Sequence, residues 1–381
     1  MTDDQAAGSR RSWLIALVGI AAAGAAVAVR PDAAGAAAAQ DWSPFVLIAG
    51  LLLIGLVADD DGLFAAAGHQ LARRATGGVV LFTGAVVMIG LVTATMNLDT
   101  SVAFLTPVLV YTARSRGGGE AALLYGVLLL SNAGSLLLPG SNLTNLIVLG
   151  HLHLTGGAFL ARMWLPSLAA LIVTAVVVAV LERRSLSAPG REPGSPGRPV
   201  LGLGLAAITA GTVLVLTLSA PAIPVAAVGL LAAGVHVARG RAGIGEVTEV
   251  LGVPLLVGLF GIAVAFGTVG RIWAGPATLL GHLNGPATAV VAALGTVAVN
   301  NLPAASLLAA RTPPHPFALL VGLNLGPNLL VTGSLAWLLW ARSARRAGAS
   351  PSLARASRIG AVAVPLSIAV ALGALALTGT M

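Results

Sequence analysis

The sequence predicts an all-α, polytopic integral membrane protein with about 10–12 transmembrane helices in two inverted repeats and two re-entrant hairpins. Three observations support this fold class. Hydrophobic residues make up 57% of the chain and charged residues 9%, against roughly 25% charged residues in an average soluble domain. Apolar runs of membrane-spanning length recur, for example at 12–29, 42–58 and 163–181. A polar segment near the middle separates two halves with similar patterns.

The apolar runs are continuous blocks of Ala, Leu, Val and Gly without the period of two that a membrane β-barrel requires. Helices satisfy every backbone N–H and C=O group within the segment, which lipid cannot do. The first run, 12–29, is longer than the apolar core of a signal peptide. We therefore expect it to be retained as a transmembrane helix.

Charge is distributed as in a membrane protein. The net charge is +8, and all 21 basic residues are arginines. A nucleic-acid-binding protein would collect such residues on one folded face, whereas here they lie between apolar runs, so we expect no nucleic-acid partner. The positive-inside rule predicts that the arginine-rich loops are cytoplasmic. We expect a multi-pass protein of the plasma (inner) membrane. These loops contain residues Arg114 and Arg116; Arg183, Arg184, Arg191 and Arg198; Arg239 and Arg241; and Arg342, Arg345, Arg346, Arg355 and Arg358.

Several kinds of chemistry are excluded by residues that are absent. Without cysteine there is no disulfide and no thiolate ligand, and without lysine there is no phosphate-binding Walker A motif. Among the histidines only His151 and His153 are closely spaced, and no third ligand type stands near them. We predict no metal, no cofactor and no catalytic residues.

The polar segment 182–199 is rich in Pro, Gly, Ser and Arg, which is typical of a flexible linker. It suggests four parts. Residues 1–40 form an N-terminal transmembrane helix and loop, 41–181 the first transmembrane repeat, 182–199 a cytoplasmic linker, and 200–381 the second repeat.

The two halves contain matching segments in the same order. In the first half, apolar run 42–58 is followed by the amphipathic segment 63–74 and by run 77–95, which polar residues interrupt at 97–100. We interpret that interruption as a break within a span. The second half repeats the series with the run 253–269, the short piece 271–282, the run 287–299 and the interruption 300–303.

Two further segments, 136–146 and 323–334, place Gly and Pro beside Asn, Ser and Thr within apolar sequence. Non-helical backbone at that depth is stable only when it is buried in protein or lines a cavity, so we interpret both as re-entrant hairpins. Their tips offer polar side chains where half-helices begin, which suits an oxyanion or a polyol-like ligand. Helix capping is the alternative role. The predicted substrate-binding residues are Ser141, Asn142, Thr144, Asn145, Asn300, Asn301, Asn328, Thr332 and Ser334.

Asp99 is the one acidic residue that we place inside a span. An ionisable side chain at that depth costs at least about 2.5–3.5 kcal/mol and is by default a functional candidate. It could carry a proton, or hold a sodium ion together with nearby oxygens. The alternative is a helix cap completed by Asn97 and Thr100. We assign Asp99, Asn97 and Thr100 to proton or ion coupling.

At these same positions the sequence resembles the arsenite permeases of the ArsB type, in the ion-transporter superfamily that includes divalent-anion/sodium symporters and NhaD-type antiporters. The resemblance extends from about Phe45 to the C-terminus and implies inverted repeats, an elevator-like movement and extrusion of arsenite or antimonite. It also implies proton exchange or a separate soluble ATPase as the driving force. The matching phrases are Asn97-Leu-Asp-Thr, Leu105-Thr-Pro, Ser141-Asn-Leu-Thr-Asn145, Asn300-Asn-Leu-Pro303 and Leu325-Gly-Pro-Asn-Leu-Leu-Val-Thr-Gly-Ser-Leu-Ala-Trp-Leu-Leu-Trp340.

The predicted function is therefore a secondary transporter that exports arsenite or antimonite, with Asp99 as the proton carrier. The alternatives are a sodium- or proton-coupled transporter of dicarboxylate, sulfate or another small anion, and a sodium/proton antiporter. Candidate partners are the metalloid substrate and its coupling ion, the lipid bilayer, a soluble ATPase and a second copy of the chain. An enzyme is not expected, because no span shows a nucleophile with its base or a metal cluster.

Overall fold

The structure is a computed structural model that describes residues 3–150, 152, 154–187 and 202–379. Every regular element in these residues is helical, which confirms the all-α class. His151, His153, Arg191, Arg198 and most of the predicted linker lie outside the described residues. Six described helical segments are long and apolar enough to span a bilayer: Ser12–Val29, Pro31–Asp60, Gly78–Thr95, Gly156–Leu181, Ile244–Ile272 and Leu353–Leu377.

Four shorter apolar helices, of 10–17 residues, accompany these six. The chain begins with α1 (Asp3–Val29), and the next helix crosses the boundary predicted at residue 41. The first repeat then consists of α2 (Pro31–Asp60), α3 (Leu63–Arg74), α4 (Gly78–Thr95), α5 (Leu98–Ser115), α6 (Ala121–Gly134), α7 (Leu143–Leu149) and α8 (Gly156–Leu181).

Four helices connect the repeats: α9 (Arg183–Leu186), α10 (Leu203–Thr217), α11 (Ala222–Ala238) and α12 (Ile244–Leu251). The second repeat follows the order of the first, one helix for each: α13 (Val253–Ile272), α14 (Gly275–His282), α15 (Gly285–Val299), α16 (Asn301–Leu308), α17 (Pro316–Leu325), α18 (Ala336–Arg346) and α19 (Leu353–Leu377). A single 3-10 turn follows α6 at Pro139–Ser141 and α17 at Gly326–Asn328.

Helices α2 and α13, the first of each repeat, run in opposite directions. At the end of α13, Arg271 donates to the carbonyl oxygen of Ala36, near the start of α2, at 3.3 Å. At the other end, Asp61 follows α2 and accepts a hydrogen bond from Arg241 at 3.0 Å, shortly before α13 begins. The first helix of each repeat also packs against a helix that lies outside both repeats: α13 packs against α1, and α2 packs against α11. The repeats are therefore inverted, as predicted.

Glycines allow these outer helices to approach closely. A Cβ atom at Gly258 of α13 would lie 2.4 Å from the carbonyl oxygen of Ile15 on α1. The equivalent contact between α11 and α2 uses Gly229, whose Cβ would lie 2.4 Å from the carbonyl oxygen of Gly50. In lipid such close backbone packing supplies much of the association energy between helices. The two repeats thus use the same device at corresponding crossings.

Helices α4 and α5 form an antiparallel helical hairpin, hairpin 1, with its tip at Asn97. Gly78 at the start of α4 abuts the carbonyl group of Leu186, and Ala122, just beyond the end of α5, donates to the Ser185 hydroxyl at 3.1 Å. Both ends of the hairpin therefore lie beside α9. The interruption at 97–100, predicted to be a break within a span, is instead the turn at which the chain reverses.

Helices α15 and α16 form hairpin 2 in the same way, with its tip at Asn300. A Cβ atom at Gly322 of α17 would meet the carbonyl oxygen of Ala289 on α15, and one at Gly326, four residues later, would meet Ala293, four residues later on α15, so these two helices run parallel. After α16, Arg311 donates to the carbonyl oxygen of Arg271 at 2.8 Å. Hairpin 2 thus enters from the end where α13 finishes, opposite to hairpin 1.

The two predicted hairpins, 136–146 and 323–334, are the central breaks of spans that cross the whole molecule. We call residues 135–142 break 1, between α6 and α7, and residues 326–335 break 2, between α17 and α18. The fold does contain two re-entrant hairpins, but at different segments. Both kinds of feature place polar residues inside apolar sequence, so composition alone does not distinguish a reversal from a break.

The arginine-rich loops lie at one end of the molecule, as the sequence predicts. Arg114 donates to the carbonyl oxygens of Ala347 and Gly348 at 2.7 and 2.9 Å. The buried carboxylate of Glu182, after α8, accepts two hydrogen bonds from Arg355 at the start of α19. These contacts join loops that are far apart in the chain. We call this the arginine-rich end.

Candidate functional site

Break 1 is pinned against hairpin 1 by its polar residues. The Ser141 hydroxyl donates to the carbonyl oxygen of Ala94, at the end of α4, at 3.2 Å. Asn142 caps α7 by accepting from the Thr144 N–H at 3.2 Å, so the helix-cap role that we considered also holds. Asn145 donates to the carbonyl oxygens of Ser135 and Leu138 at 2.7 and 3.1 Å. These oxygens lack an α-helical partner because the helix is broken here. All of these polar side chains are buried.

Asn324, on α17 just before break 2, is the centre of a buried amide network. Its carbonyl oxygen accepts from Asn142 at 2.8 Å and from the Ser135 hydroxyl at 2.6 Å. Its NH2 group donates to the side chain of Asn145 at 2.8 Å and to the carbonyl oxygen of Leu320 at 2.9 Å. One side chain of the second repeat thus binds three residues of the first.

A second pair of amide side chains joins α6, before break 1, to break 2. Asn132 of α6 donates to the side-chain oxygen of Asn328 at 2.9 Å, and Asn328 donates to the carbonyl oxygen of Leu129 at 3.0 Å. Trp337 fixes the following loop by donating to the carbonyl oxygen of Pro327 at 2.8 Å. The two breaks therefore meet in the middle of the molecule through amide side chains. We call Asn132, Ser135, Asn142, Asn145, Asn324 and Asn328 the amide network.

The tip of hairpin 1 carries the predicted coupling residues. Asn97 caps α5, accepting from the Thr100 N–H at 2.7 Å. The half-buried Asp99 stands in the first turn of α5. Its carboxylate forms no hydrogen bond or ion pair with any described residue. The amide nitrogen of Asn97 and the hydroxyl oxygens of Thr100 and Thr144 are buried, and none has a hydrogen-bond partner in the described part of the chain.

The tip of hairpin 2 is held by break 2. Asn300 donates to the carbonyl oxygen of Thr332 at 3.1 Å, and the Thr332 hydroxyl donates to the carbonyl oxygen of Val297 at 2.8 Å. The Asn301 N–H donates to the carbonyl oxygen of Gly333 at 2.9 Å. The hydroxyl of Ser334 is buried and has no partner in the described residues. Each hairpin tip thus contacts the break of its own repeat.

The predicted residues therefore fall into three groups. Hairpin 1 contributes Asn97, Asp99 and Thr100, the amide network contains Asn142, Asn145 and Asn328, and the tip of hairpin 2 gathers Asn300, Asn301 and Thr332. Among the described residues, every side-chain hydrogen bond within these groups goes to a neutral partner, so the site presents amides and hydroxyls rather than cations. We find no cluster of three His, Asp or Glu side chains for a metal ion in the described residues.

Sequence reasoning missed several of these residues. Asn132, Ser135 and Asn324 lie on or beside helices, where no local sequence pattern marks their role. A second intramembrane carboxylate was also missed, since Asp41 lies inside α2 with 2% of its surface exposed. The statement that Asp99 is the only acidic residue within a span is therefore wrong. Asp41 precedes Trp42, where the apolar run was taken to begin, and this position made it look like a flanking residue.

A cavity of about 630 Å³ lies at the end opposite the arginine-rich end and extends to break 1. Helices α2, α7, α8 and α10 contribute to its walls, and its lining includes Gln40, Ser43, Pro139, Leu146 and Arg271. Its volume is in the range of small-molecule pockets. The cavity gives a route from this end toward break 1.

Comparisons with known proteins agree with this architecture. A sequence model of the CitMHS family, described as a citrate transporter, matches residues 5–341. Among solved structures, the crystal structure of the Alcanivorax borkumensis YdaH transporter is similar over 88% of this chain and 84% of that chain, with a TM-score of 0.50 and 16% sequence identity. At that level of identity the likeness concerns the fold alone.

Proposed function

Since the chain belongs to the CitMHS citrate transporter family, we propose that it is a secondary transporter of small di- or tricarboxylates, with citrate as the first substrate to test. Membership of the family makes the chain a membrane transporter rather than an enzyme, as predicted. That the substrate is a carboxylate is the part of the proposal that goes beyond family membership. The observation that carries it is a set of buried, uncharged donors without a partner in the described residues, at the tip of hairpin 1 and at the start of α7.

That donor set suits a ligand with several acceptor oxygens. The amide nitrogen of Asn97 and the hydroxyls of Thr100 and Thr144 are buried without a partner in the described residues. A buried unpaired donor costs about 1–3 kcal/mol, and a bound oxygen would recover part of this. Carboxylate oxygens accept such hydrogen bonds strongly because they are charged.

The same set lacks a cationic side chain, and this determines how a carboxylate would be carried. An isolated anion in a buried site is strongly unfavourable without compensating charge. The compensating charge would have to travel with the substrate, as protons or as another cation. We propose Asp99 as one proton-binding group, since its carboxylate stands beside the donor set without a partner in the described chain.

Arsenite is the second candidate, and the neutral character of the site favours it. Arsenous acid is mostly uncharged near neutral pH and presents three hydroxyl groups, which amides and hydroxyls can bind without compensating charge. The ArsB-type specificity therefore remains a prediction, as do the soluble ATPase partner, the homodimer and the plasma-membrane location. The site offers no thiolate for arsenic, because the chain has no cysteine.

An elevator-like movement is the mechanism that we propose. The amide network ties α6, α7 and α17 into one body, and each hairpin tip is bound to a break. This body contacts α13 over a surface of small residues. A Cβ atom at Gly270 would lie 2.5 Å from the carbonyl oxygen of Leu307, on α16, and 2.6 Å from the Cβ atom of Ala310. A smooth surface of this kind suits sliding between packed helices.

The test compares substrates and a shape-conserving variant in proteoliposomes. Purified protein should accumulate labelled citrate under a pH gradient. Thr144→Val should reduce uptake roughly tenfold or more, because one hydrogen bond to a charged ligand is lost. Thr209→Val, which changes an exposed threonine of α10, is the matched control and should leave uptake unchanged. Arsenite efflux is measured in arsenite-sensitive cells with the same variants. If the wild-type protein moves neither substrate, the proposal fails.

A further inference from the structure

The buried carboxylate of Asp41 lies where an outer helix meets hairpin 2. It is on α2, with 2% of its surface exposed, and it accepts a hydrogen bond of 3.4 Å from the Ser306 hydroxyl of α16. Helix α16 is the return helix of hairpin 2, just as α5, which carries Asp99, is the return helix of hairpin 1. Each hairpin of the inverted pair therefore has one intramembrane carboxylate on or against its return helix.

The neighbour of Asp41 ties the same junction together. Gln40 donates to the carbonyl oxygens of Ile147 and Ala309, at 3.0 and 3.1 Å, which lie at the ends of α7 and α16. Its own side-chain oxygen accepts from Arg271 of α13. Two outer helices, α2 and α13, are thus joined here to α7, which follows break 1, and to the end of α16 in hairpin 2. Movement of hairpin 2 past α2 would break the Gln40–Ala309 and Ser306–Asp41 contacts together.

The charged groups around Asp41 favour a proton over a metal cation as its ligand. Arg271 of α13 acts electrostatically on the carboxylate, and α16 contributes only the uncharged Ser306. Arg311, after α16, binds the carbonyl oxygen of Arg271 at the same junction. A sodium ion would be repelled by the guanidinium groups, whereas a buried carboxyl group can become neutral by taking up a proton.

A water route reaches this junction. The cavity of about 630 Å³ is lined by Gln40, Ser43 and Arg271, and it lies at the end opposite the arginine-rich loops. Protons from that compartment can therefore approach the residues that flank Asp41. The contact with Ser306, by contrast, depends on the position of hairpin 2. A group whose surroundings change with conformation binds its proton differently in the two states, which is the requirement for coupling.

We propose that Asp41 is a second proton-binding group of the transport cycle, loaded from the cavity and sensitive to the position of hairpin 2. The proposal rests on the proposed function, because a proton bound here contributes to transport only if transport is proton-coupled. Asp99 would then bind a proton at hairpin 1, and Asp41 would bind one at hairpin 2. The Ser306 hydroxyl donates to the carboxylate and, like Arg271, stabilises its charged form. Loss of the Ser306 contact when hairpin 2 moves therefore favours uptake of the proton, and its return favours release.

The experiment separates coupling from substrate binding. In proteoliposomes, citrate accumulation driven by a pH gradient is compared with exchange of labelled for unlabelled citrate at equal pH. Asp41→Asn should abolish accumulation and retain exchange, and Asp41→Glu should restore accumulation with a shifted pH profile. Asp32→Asn, an exposed residue of the same helix, should behave as the wild type. Normal accumulation by Asp41→Asn, or equal loss of accumulation and exchange, would overturn the proposal.

A second measurement does not depend on the substrate. Infrared difference spectra of the purified protein are recorded during a pH titration, and the carbonyl band of protonated carboxyl groups is followed. Asp41→Asn should remove part of this band, whereas Asp32→Asn should leave the intramembrane component intact. An unchanged band in Asp41→Asn would reject the inference even if citrate transport is found. Loss of the band in a protein that moves neither citrate nor arsenite would leave the proton site standing and reject the proposed substrates.

Discussion

The polar centre of this molecule depends on a few amide side chains, and Asn324 contributes most. Both of its polar atoms make two hydrogen bonds, and three of the four partners belong to the other repeat. Amides suit this position because they carry donors and acceptors without charge. A charged side chain would bring a desolvation cost that this uncharged network cannot offset. The network therefore joins two broken helices and still leaves neutral groups available for a ligand.

Replacing Asn324 by Leu should destabilise the protein by about 2–5 kcal/mol, because Asn142 and Asn145 would each lose a buried partner. Unfolding of the detergent-solubilised protein measures this change. The control is Asn284→Ala, which removes an exposed N-cap from α15 and should cost about 1 kcal/mol. Equal destabilisation by both variants would mean that the amide network contributes no more than an ordinary cap.

At this scale the sequence identified the polar residues beside non-helical backbone but not those within helices. Ser141, Asn142 and Asn328 stand beside Gly and Pro, which mark non-helical backbone. Asn324 and Asn132 lie inside helices, where an isolated amide has no local signal. Their partners are more than 170 residues away in the chain, so only tertiary structure reveals their role.

Among the elements, hairpin 2 stores backbone strain at its tip. Asn300 has φ +79° and ψ 154°, a combination that essentially only glycine adopts without strain. It is the one non-glycine residue with positive φ in the described chain. The strain is balanced by its side-chain bonds to the carbonyl oxygen of Thr332 and the N–H of Leu302. The strained tip is therefore held in place by break 2.

Comparing Gly and Ala at position 300 isolates the strain. Both variants lose the side-chain bonds, but only Ala retains the unfavourable conformation. Asn300→Gly should therefore be more stable than Asn300→Ala by about 1–3 kcal/mol. Both should transport more slowly, because break 2 is no longer held. At Thr209, in the exposed middle of α10, the order should reverse, with Ala more stable than Gly by about 1 kcal/mol. The same order at both positions would contradict the strain at Asn300.

The exchange of roles between hairpins and breaks was not predicted, although the sequence contained a signal for it. Arg73 and Arg74 precede the segment 77–115, and Arg114 and Arg116 lie at its end as a second basic cluster. If both loops lie on the same side of the membrane, the chain must reverse between them. In the structure Arg116 donates to the carbonyl oxygen of Ala72 at 2.6 Å, so the two ends do meet. Charge bias around a polar interruption thus distinguishes a hairpin from a break.

For the whole molecule, inversion of the repeats accounts for the arrangement of the site. Hairpin 1 enters from the arginine-rich end and hairpin 2 from the opposite end, so their tips approach breaks 1 and 2 from two sides. The composition and the order of segments predicted this symmetry because each repeat preserves the same series of elements. They could not predict which polar segments face each other, since that depends on how the two series interlock.

The opposed hairpins can be tested by labelling, because the chain has no cysteine and every single-cysteine variant reports one position. Thr76→Cys and Ser115→Cys, at the two ends of hairpin 1, should both react with a membrane-impermeant maleimide from the side of the arginine-rich loops. Gly281→Cys and Thr312→Cys, at the two ends of hairpin 2, should both react only from the other side. All four positions are exposed. Labelling of Thr76→Cys and Ser115→Cys from opposite sides would mean that the segment between them crosses the membrane once and does not reverse. The two repeats could then not present their hairpin tips to one central site.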